Sequence, residues 1–423
     1  MEQRHASPLI FRPPGAAMGR RAMLPLALVT LICPQFAVAR TPAEFTIDCR
    51  FPGGNIVVDS IENNTVKLHQ DLRDTEGFWF YWSFRVRGAA GRTLDFEFTQ
   101  ESTGPGTAIG FHGPAVSTDK GKTWNWLGNE SRSGRSFGYK FPVDAKEVRF
   151  AFAIPYLQSD LRQFLRRYRG NSNLRQESLC KTNKGRTVEL LRIGRLDGRC
   201  DWRVLLTARH HACESMANCA MDGVIETILA DTDDGRWYRD HVEVLAVPFM
   251  DKDGVEEGDQ GKNRRPHDHN RDYVQGLYPS VRALRDLVPR WSAGRLRIAL
   301  DMHCPLLRDR TIFFTGGRSV ERFSKIVESL QTGPLVYRLA DSLPAWARKS
   351  GDTGRVDSTP RVMDSGLRSC SSWAAGLPGI LLATTMEIPY ADVSGKRTTP
   401  EGVRALGHDL AHAIRSYLEE SKK

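Results

Sequence analysis

Apolar residues follow two different rhythms along this chain. Between residue 40 and about residue 155 they alternate with polar ones in short runs. Thr93-Leu94-Asp95-Phe96-Glu97-Phe98 alternates cleanly, and residues 78–87 and 147–152 give similar runs, separated by Gly, Pro and Asn turns. Alternation with a period of two puts successive side chains on opposite faces of a strand. Short strands of this kind with regular turn signals predict an antiparallel β-sandwich over residues 40–155.

From about residue 156 the rhythm changes. Residues 156–161 form a bridge into a basic stretch, residues 162–169, with a helical pattern. Continuous apolar runs follow at 188–191, 204–208, 242–247, 297–300, 312–315 and 380–384, and helical patterns fill 214–229, 274–288 and 400–418. The last helix has Thr399 as its N-cap and Pro400 in its first turn. Val403, Leu406, Leu410, Ile414 and Tyr417 make one apolar stripe along it. Strand-like runs alternating with helices predict an α/β domain over residues 156–423, with a mixed, mostly parallel sheet flanked by helices. A chain of 423 residues exceeds one ordinary core, which agrees with two domains.

Ahead of both, Met18-Gly19-Arg20-Arg21 precedes an apolar run over 22–36 and then Ala37-Val38-Ala39. A basic start, an apolar middle and an A-x-A end predict a secretory signal peptide over residues 1–39, with Met18 a candidate start. The run is interrupted by Pro25 and Pro34 and is short for a membrane span. The expectation is an exported protein, periplasmic or secreted, without stable membrane insertion. Net charge is +10, yet the Arg residues are scattered and no recognition motif accompanies them, so a nucleic-acid partner is not expected. Eight Cys occur without a C-x-x-C pair. Disulfides are possible in an oxidising compartment, with pairing not legible from sequence, while Cys213 and Cys304, beside the candidate ligands, read as space-filling thiols.

Three apolar runs end in residues that bind metals. Val204-Leu205-Leu206-Thr207-Ala208 leads to His210, His211 and Glu214, the run before Asp301 leads to His303, and the run over 380–384 leads to Glu387. Ligands gather at the carboxyl ends of parallel strands. Imidazole and carboxylate donors suit Zn²⁺, and a catalytic site needs three protein ligands and an open position. His211 keeps a two-residue gap to Glu214, with His210 as the alternative. Residues 262–273 are rich in cations and amides without hydrophobic periodicity, and Arg forks suit carboxylate binding. The triplet His267-Asp268-His269 reads as a hydrogen-bonded scaffold rather than a ligand set. Trp79 and Trp82 read as core rather than as a sugar platform. Ser117-Thr118-Asp119-Lys120-Gly121-Lys122-Thr123-Trp124 is similar to the Asp-box hairpin of sialidases, but a single copy reads as a structural turn.

The stretches Ala208-Arg209-His210-His211-Ala212-Cys213-Glu214-Ser215, Asp253-Gly254-Val255 through Asn270-Arg271, and Asp301-Met302-His303 together resemble zinc carboxypeptidases of the funnelin type. Tyr156 to Leu161, Thr353-Gly354-Arg355-Val356 and Thr385-Met386-Glu387 resemble further motifs of the cytosolic-carboxypeptidase-like branch, which carries a β-sandwich ahead of its peptidase domain. The resemblance implies one Zn²⁺ held by His211, Glu214 and His303, and Glu387 as general base and acid. It implies that Asn270 and Arg271 grip the free C-terminal carboxylate of a peptide substrate. The oxyanion-stabilising Arg of the family falls at Gly261 in this chain, so Arg264, or else Arg265, is expected to take that role. The rival readings are a zinc amidase or deacylase, a non-catalytic envelope-binding protein and, last, a sialidase.

Overall fold

The strand expected at 93–98 forms over the same residues, Thr93–Phe98, and its inward side chains Leu94, Phe96 and Phe98 are fully buried. The structure is a computed structural model and describes residues 45–77, 79–100, 108–341 and 366–422. The signal-peptide segment and the Thr353 to Val356 motif lie outside the described residues. These described residues form one compact unit.

The first part of that unit holds two five-stranded sheets. One contains β1 (Thr46–Asp48), β4 (Ser83–Arg87), β6 (Ala115–Ser117), β7 (Asn125–Trp126) and β10 (Glu147–Ala151), in the order β1-β4-β10-β6-β7 and antiparallel throughout. The other contains β2 (Val57–Glu62), β3 (Thr65–His69), β5 (Thr93–Phe98), β8 (Arg132–Ser133) and β9 (Ser136–Lys140). It is antiparallel except where β3 meets β5. Trp82, Phe84, Phe96, Phe98, Phe137 and Phe150 are fully buried, with neighbouring ring centroids 4.8–6.0 Å apart. Trp82 also donates its indole N–H to the Ala108 carbonyl at 2.7 Å, so it is core and not a ligand platform. Residues 79–82 belong to no strand, although the Trp82 carbonyl accepts from the Phe152 amide at 3.0 Å, and the strand expected from 78 begins only at Ser83.

The Asp119 hairpin is a structural turn. Its carboxylate accepts from the Lys122 and Thr123 amides at 3.0 Å, and Trp124 closes onto the Gly121 carbonyl at 3.1 Å.

The second part is a seven-stranded sheet. Its strands are β11 (Leu174–Lys181), β12 (Thr187–Gly194), β13 (Trp202–Ala208), β14 (Val242–Val247), β15 (Leu296–His303), β16 (Phe313–Arg318) and β17 (Leu382–Glu387), in the order β11-β12-β14-β13-β15-β17-β16. The central four are parallel, and the strands outside them join antiparallel. Every residue of β13 and β14 is buried, which is why those strands read as unbroken apolar runs. Their side chains feed two cores. Val204, Leu206 and Ala208 join the core shared with the β layers and the helices Met216–Leu229 and Pro400–Glu420, while Leu205 joins the core under the helix Pro279–Ser292. Thr399 caps the last helix as its sequence predicts, accepting from the Gly402 amide, and the apolar stripe is buried.

The β layers touch the loops that leave the central strands. Trp126 donates to the Thr398 carbonyl and Asn55 to the Gly258 carbonyl, both at 2.7 Å, and Tyr81 N–H donates to the Gln260 side chain at 2.9 Å. Among the described residues all seven cysteines are free thiols.

Candidate metal centre

The site starts at the end of β13. Arg209 adopts φ +61°, a left-handed conformation uncommon for a residue with a side chain. Its guanidinium explains why the turn persists. It donates to the Ala212 carbonyl at 2.9 Å, the Tyr156 carbonyl at 2.8 Å and the Asn218 side-chain oxygen at 2.9 Å. Arg209 therefore ties the turn over 209–212 to the bridge at Tyr156 and to the helix that follows. Ser215 fixes the start of that helix further by donating to the Ile154 carbonyl at 2.6 Å.

This turn brings His211 and Glu214 to the end of β15, where His303 stands. Glu214 Oε1 lies 2.9 Å from His211 Nδ1, Glu214 Oε2 lies 2.7 Å from His303 Nδ1, and the two Nδ1 atoms are 3.2 Å apart. Tetrahedral zinc with ligands near 2.0–2.1 Å has donor–donor edges of roughly 3.3 Å. The three donors thus form a triangle of about the size one zinc needs, and two imidazoles with one carboxylate are a donor set that this metal takes. Both rings are backed by a carboxylate. His303 Nε2 meets Asp301 Oδ2 at 2.7 Å, and His211 Nε2 faces Asp268 Oδ1 at 3.6 Å. Carboxylates behind the far nitrogen orient a ligating imidazole and raise its basicity.

A second group, His210 with Asp301 and His303, also clusters. Two of its members are engaged by groups outside it. Thr207 donates to Asp301 Oδ1 at 2.7 Å, His210 Nδ1 lies 2.8 Å from the same oxygen, and His210 Nε2 meets the Tyr273 hydroxyl at 2.8 Å. His210 is thus part of the support behind His303, not a corner of the triangle.

Charge in the triangle is strongly coupled. Burial works against ionised Glu214, yet His211, Lys262 and His303 hold its carboxyl well below the usual range. Burial likewise opposes charge on His303, but Asp301 and Glu214 push its pKa well up. A dication binding there displaces protons from the rings.

Glu387 is the lateral neighbour of His303, because β15 and β17 pair with His303 opposite Glu387. Its Oε2 is buried without a hydrogen-bond partner. Burial raises its carboxyl pKa, Glu214 adds to that, and His303 partly offsets it. A carboxylate with an orphaned oxygen beside a three-donor triangle is suited to accept a proton from a water between them.

The 258–271 segment supplies the opposite wall. Asn270 is buried, with Nδ2 3.2 Å from His303 Nε2 and Oδ1 accepting from the Cys370 amide at 2.9 Å. Arg271 is half-buried and donates to the Asn270 carbonyl at 3.0 Å. The expectation for Arg264 needs correction. Its guanidinium forms ion pairs with Asp251 at 2.6 Å, Asp74 at 2.7 Å and Asp259 at 2.8 Å, which engages it away from the triangle. Arg265 is exposed and pairs with Glu76. The cation beside the triangle is Lys262, whose Nζ lies 2.8 Å from Glu214 Oε1 and donates to the Cys304 carbonyl at 2.9 Å. Sequence reasoning passed over it as one of several bases in that stretch. In the triplet His267-Asp268-His269, His267 pairs with Asp272 and His269 stacks on Tyr278, as a scaffold would, while Asp268 backs His211.

Gly261 explains the offset between Gly261 and Lys262. It has φ +79°, and a Cβ there would sit 2.2 Å from the Ala212 amide nitrogen. No side chain fits at 261, so the cation comes from the next residue. Gly261→Ala is expected to cost roughly 2–5 kcal/mol, from overpacking and the left-handed backbone together. Urea unfolding checks this, and a loss under ~0.5 kcal/mol contradicts the close approach.

No family model matches the chain. In sequence it is similar to cytosolic carboxypeptidase 2 of Xenopus tropicalis, 28% identical over 312 residues that cover 69% of this chain and 31% of that protein. The chain thus spans about a third of the length of that relative. In fold it is similar to a metallo-carboxypeptidase of Burkholderia cenocepacia (TM-score 0.69, 19% identity, 89% of this chain and 100% of that one). It is also similar to a metallo-carboxypeptidase of Pseudomonas aeruginosa solved with (2-guanidinoethylmercapto)succinic acid (TM-score 0.71, 21% identity, 89% and 99%). Those likenesses cover both the β layers and the seven-stranded sheet. By sequence and by fold, the chain is similar to metallocarboxypeptidases.

Proposed function

We propose that the protein is a zinc-dependent carboxypeptidase that removes the C-terminal residue of peptides. The observation that carries this reading is the triangle of His211, Glu214 and His303 with Glu387, whose buried Oε2 has no hydrogen-bond partner, next to it. Zinc, when bound, supplies Lewis acidity toward the attacking water and the scissile carbonyl. Glu387 takes a proton from that water as its oxygen attacks the carbonyl carbon. It returns the proton to the leaving nitrogen as the C–N bond breaks. Arg271, with Asn270 beside it, is the group for the substrate's terminal carboxylate. Such a grip fixes which bond reaches Glu387 and contributes to rate by positioning.

Export to the periplasm or beyond is part of the proposal and rests on residues 1–39. Among the described residues no helix is long and apolar enough to cross a membrane.

The test is metal analysis of the purified protein with amino-acid release from a mixed peptide library. About one zinc per chain, with release that a chelator abolishes and zinc restores, is the expected result. Equal turnover of free and C-terminally amidated peptides would move the reading to an amidase.

A further inference from the structure

We propose that Lys262 carries the positive charge that stabilises the oxyanion of the tetrahedral intermediate. This deepens the carboxypeptidase reading and rests on it. The position follows from the packing around the loop. At Gly261 the backbone touches Ala212, so that residue cannot bear a side chain. Arg264 is closed off by three carboxylates, Arg265 turns outward to Glu76, and Arg209 is engaged by Ala212, Tyr156 and Asn218. Lys262 is 13% exposed, and its ammonium rests between Glu214 Oε1 and the Cys304 carbonyl.

The ammonium therefore lies at the Glu214 corner of the triangle, between that carboxylate and the Cys304 carbonyl. A lysine ammonium is a compact charge with three donors on a flexible four-carbon stem. It can pass from Glu214 to a new anion about one hydrogen bond away while the backbone stays still. The carbonyl oxygen of a substrate whose carbon faces Glu387 gains a full negative charge on attack. A donor that strengthens only then lowers the barrier and leaves ground-state binding nearly unchanged.

The loop is also held rigidly enough to aim such a group. Asn55 donates to the Gly258 carbonyl, Arg73 pairs with Asp259, and Asp74 pairs with Arg264. All three clamps come from the β layers, so one role of those layers is to position the loop that bears Lys262.

The alternative is that Lys262 only neutralises Glu214. Lys262→Met and Lys262→Arg separate the two, compared with the parent for zinc content, kcat and KM on a peptide. Affinities are measured for a dipeptide phosphinate, which mimics the tetrahedral state, and for the free product amino acid. For Lys262→Met the expectation is a fall in kcat of roughly a hundredfold. Phosphinate affinity falls in parallel, while zinc content, KM and product affinity stay within about threefold. Lys262→Arg keeps the charge and recovers part of the loss. A kcat and phosphinate affinity within about threefold of the parent overturn the proposal. So does a loss of activity that tracks loss of zinc. If the parent released no amino acid, the functional reading would fail separately, and the phosphinate comparison would still judge Lys262.

Discussion

Glu387→Gln is expected to bind zinc as the parent does and to turn over about a thousandfold more slowly, within the usual range for a lost general base. The amide has the shape of the carboxylate but cannot take a proton from water. Glu387 is not a corner of the donor triangle, so metal content is not expected to move. Nor is stability expected to fall. Oε2 has no hydrogen-bond partner to lose, and burial raises the carboxyl pKa. A carboxyl whose folded pKa is raised subtracts stability once the pH exceeds its unfolded pKa. In the metal-free protein at neutral pH the amide removes that cost, so its melting temperature should equal or exceed the parent's. Steady-state kinetics, zinc analysis and thermal melts on one preparation check all three outcomes. Unchanged kcat would remove Glu387 from the mechanism, and lost zinc would make it a ligand.

How much of this site was legible in the sequence depended on where each residue stands. His303 and Glu387 end β15 and β17, and those strands announce themselves as apolar runs, so register alone sets them side by side. His211 and Glu214 follow a third such run. The central strands and the last helix were legible for the same reason, since burial on both faces or along one stripe leaves an unmistakable pattern. The antiparallel edge strand β11 was not, because Leu174–Lys181 is mostly exposed and reads Leu-Arg-Gln-Glu-Ser-Leu-Cys-Lys, without alternation. Residues 79–82 look like a strand by composition but belong to none: Phe80, Tyr81 and Trp82 are buried, and Trp79 is half-buried against the core.

The loop cation was the instructive miss. Counting along the chain cannot tell Lys262 from Arg264, because their directions are set by contacts far away in sequence. Gly261 is pressed against Ala212, and Asp74, from the β layer, helps draw Arg264 away. Those constraints belong to the assembled fold. A glycine at the family's Arg position was the one local sign, and its meaning lay in the backbone approach it permits.

His303→Ala should remove zinc and activity together, while Asp301→Asn should only weaken them. His303 supplies one of three donors, and its ring is clamped from both sides, Nδ1 toward Glu214 and Nε2 toward Asp301. Without that ring two donors remain, which does not make a closed site for zinc. Zinc in dialysed His303→Ala protein is therefore expected below about a tenth of an equivalent, with no detectable release of amino acid. Asp301 acts differently. It is held by Thr207 and His210 and in turn fixes the tautomer and tilt of His303. Its amide keeps the shape but loses the charge, and losing such a backing carboxylate typically lowers metal affinity by about 10–100-fold. Competition with a chromogenic chelator measures that shift, and saturating zinc should restore most of the kcat. If His303→Ala still held a full equivalent of zinc, the metal would have to lie elsewhere than in this triangle. If Asp301→Asn bound zinc as tightly as the parent, Asp301 would serve only the packing around His210.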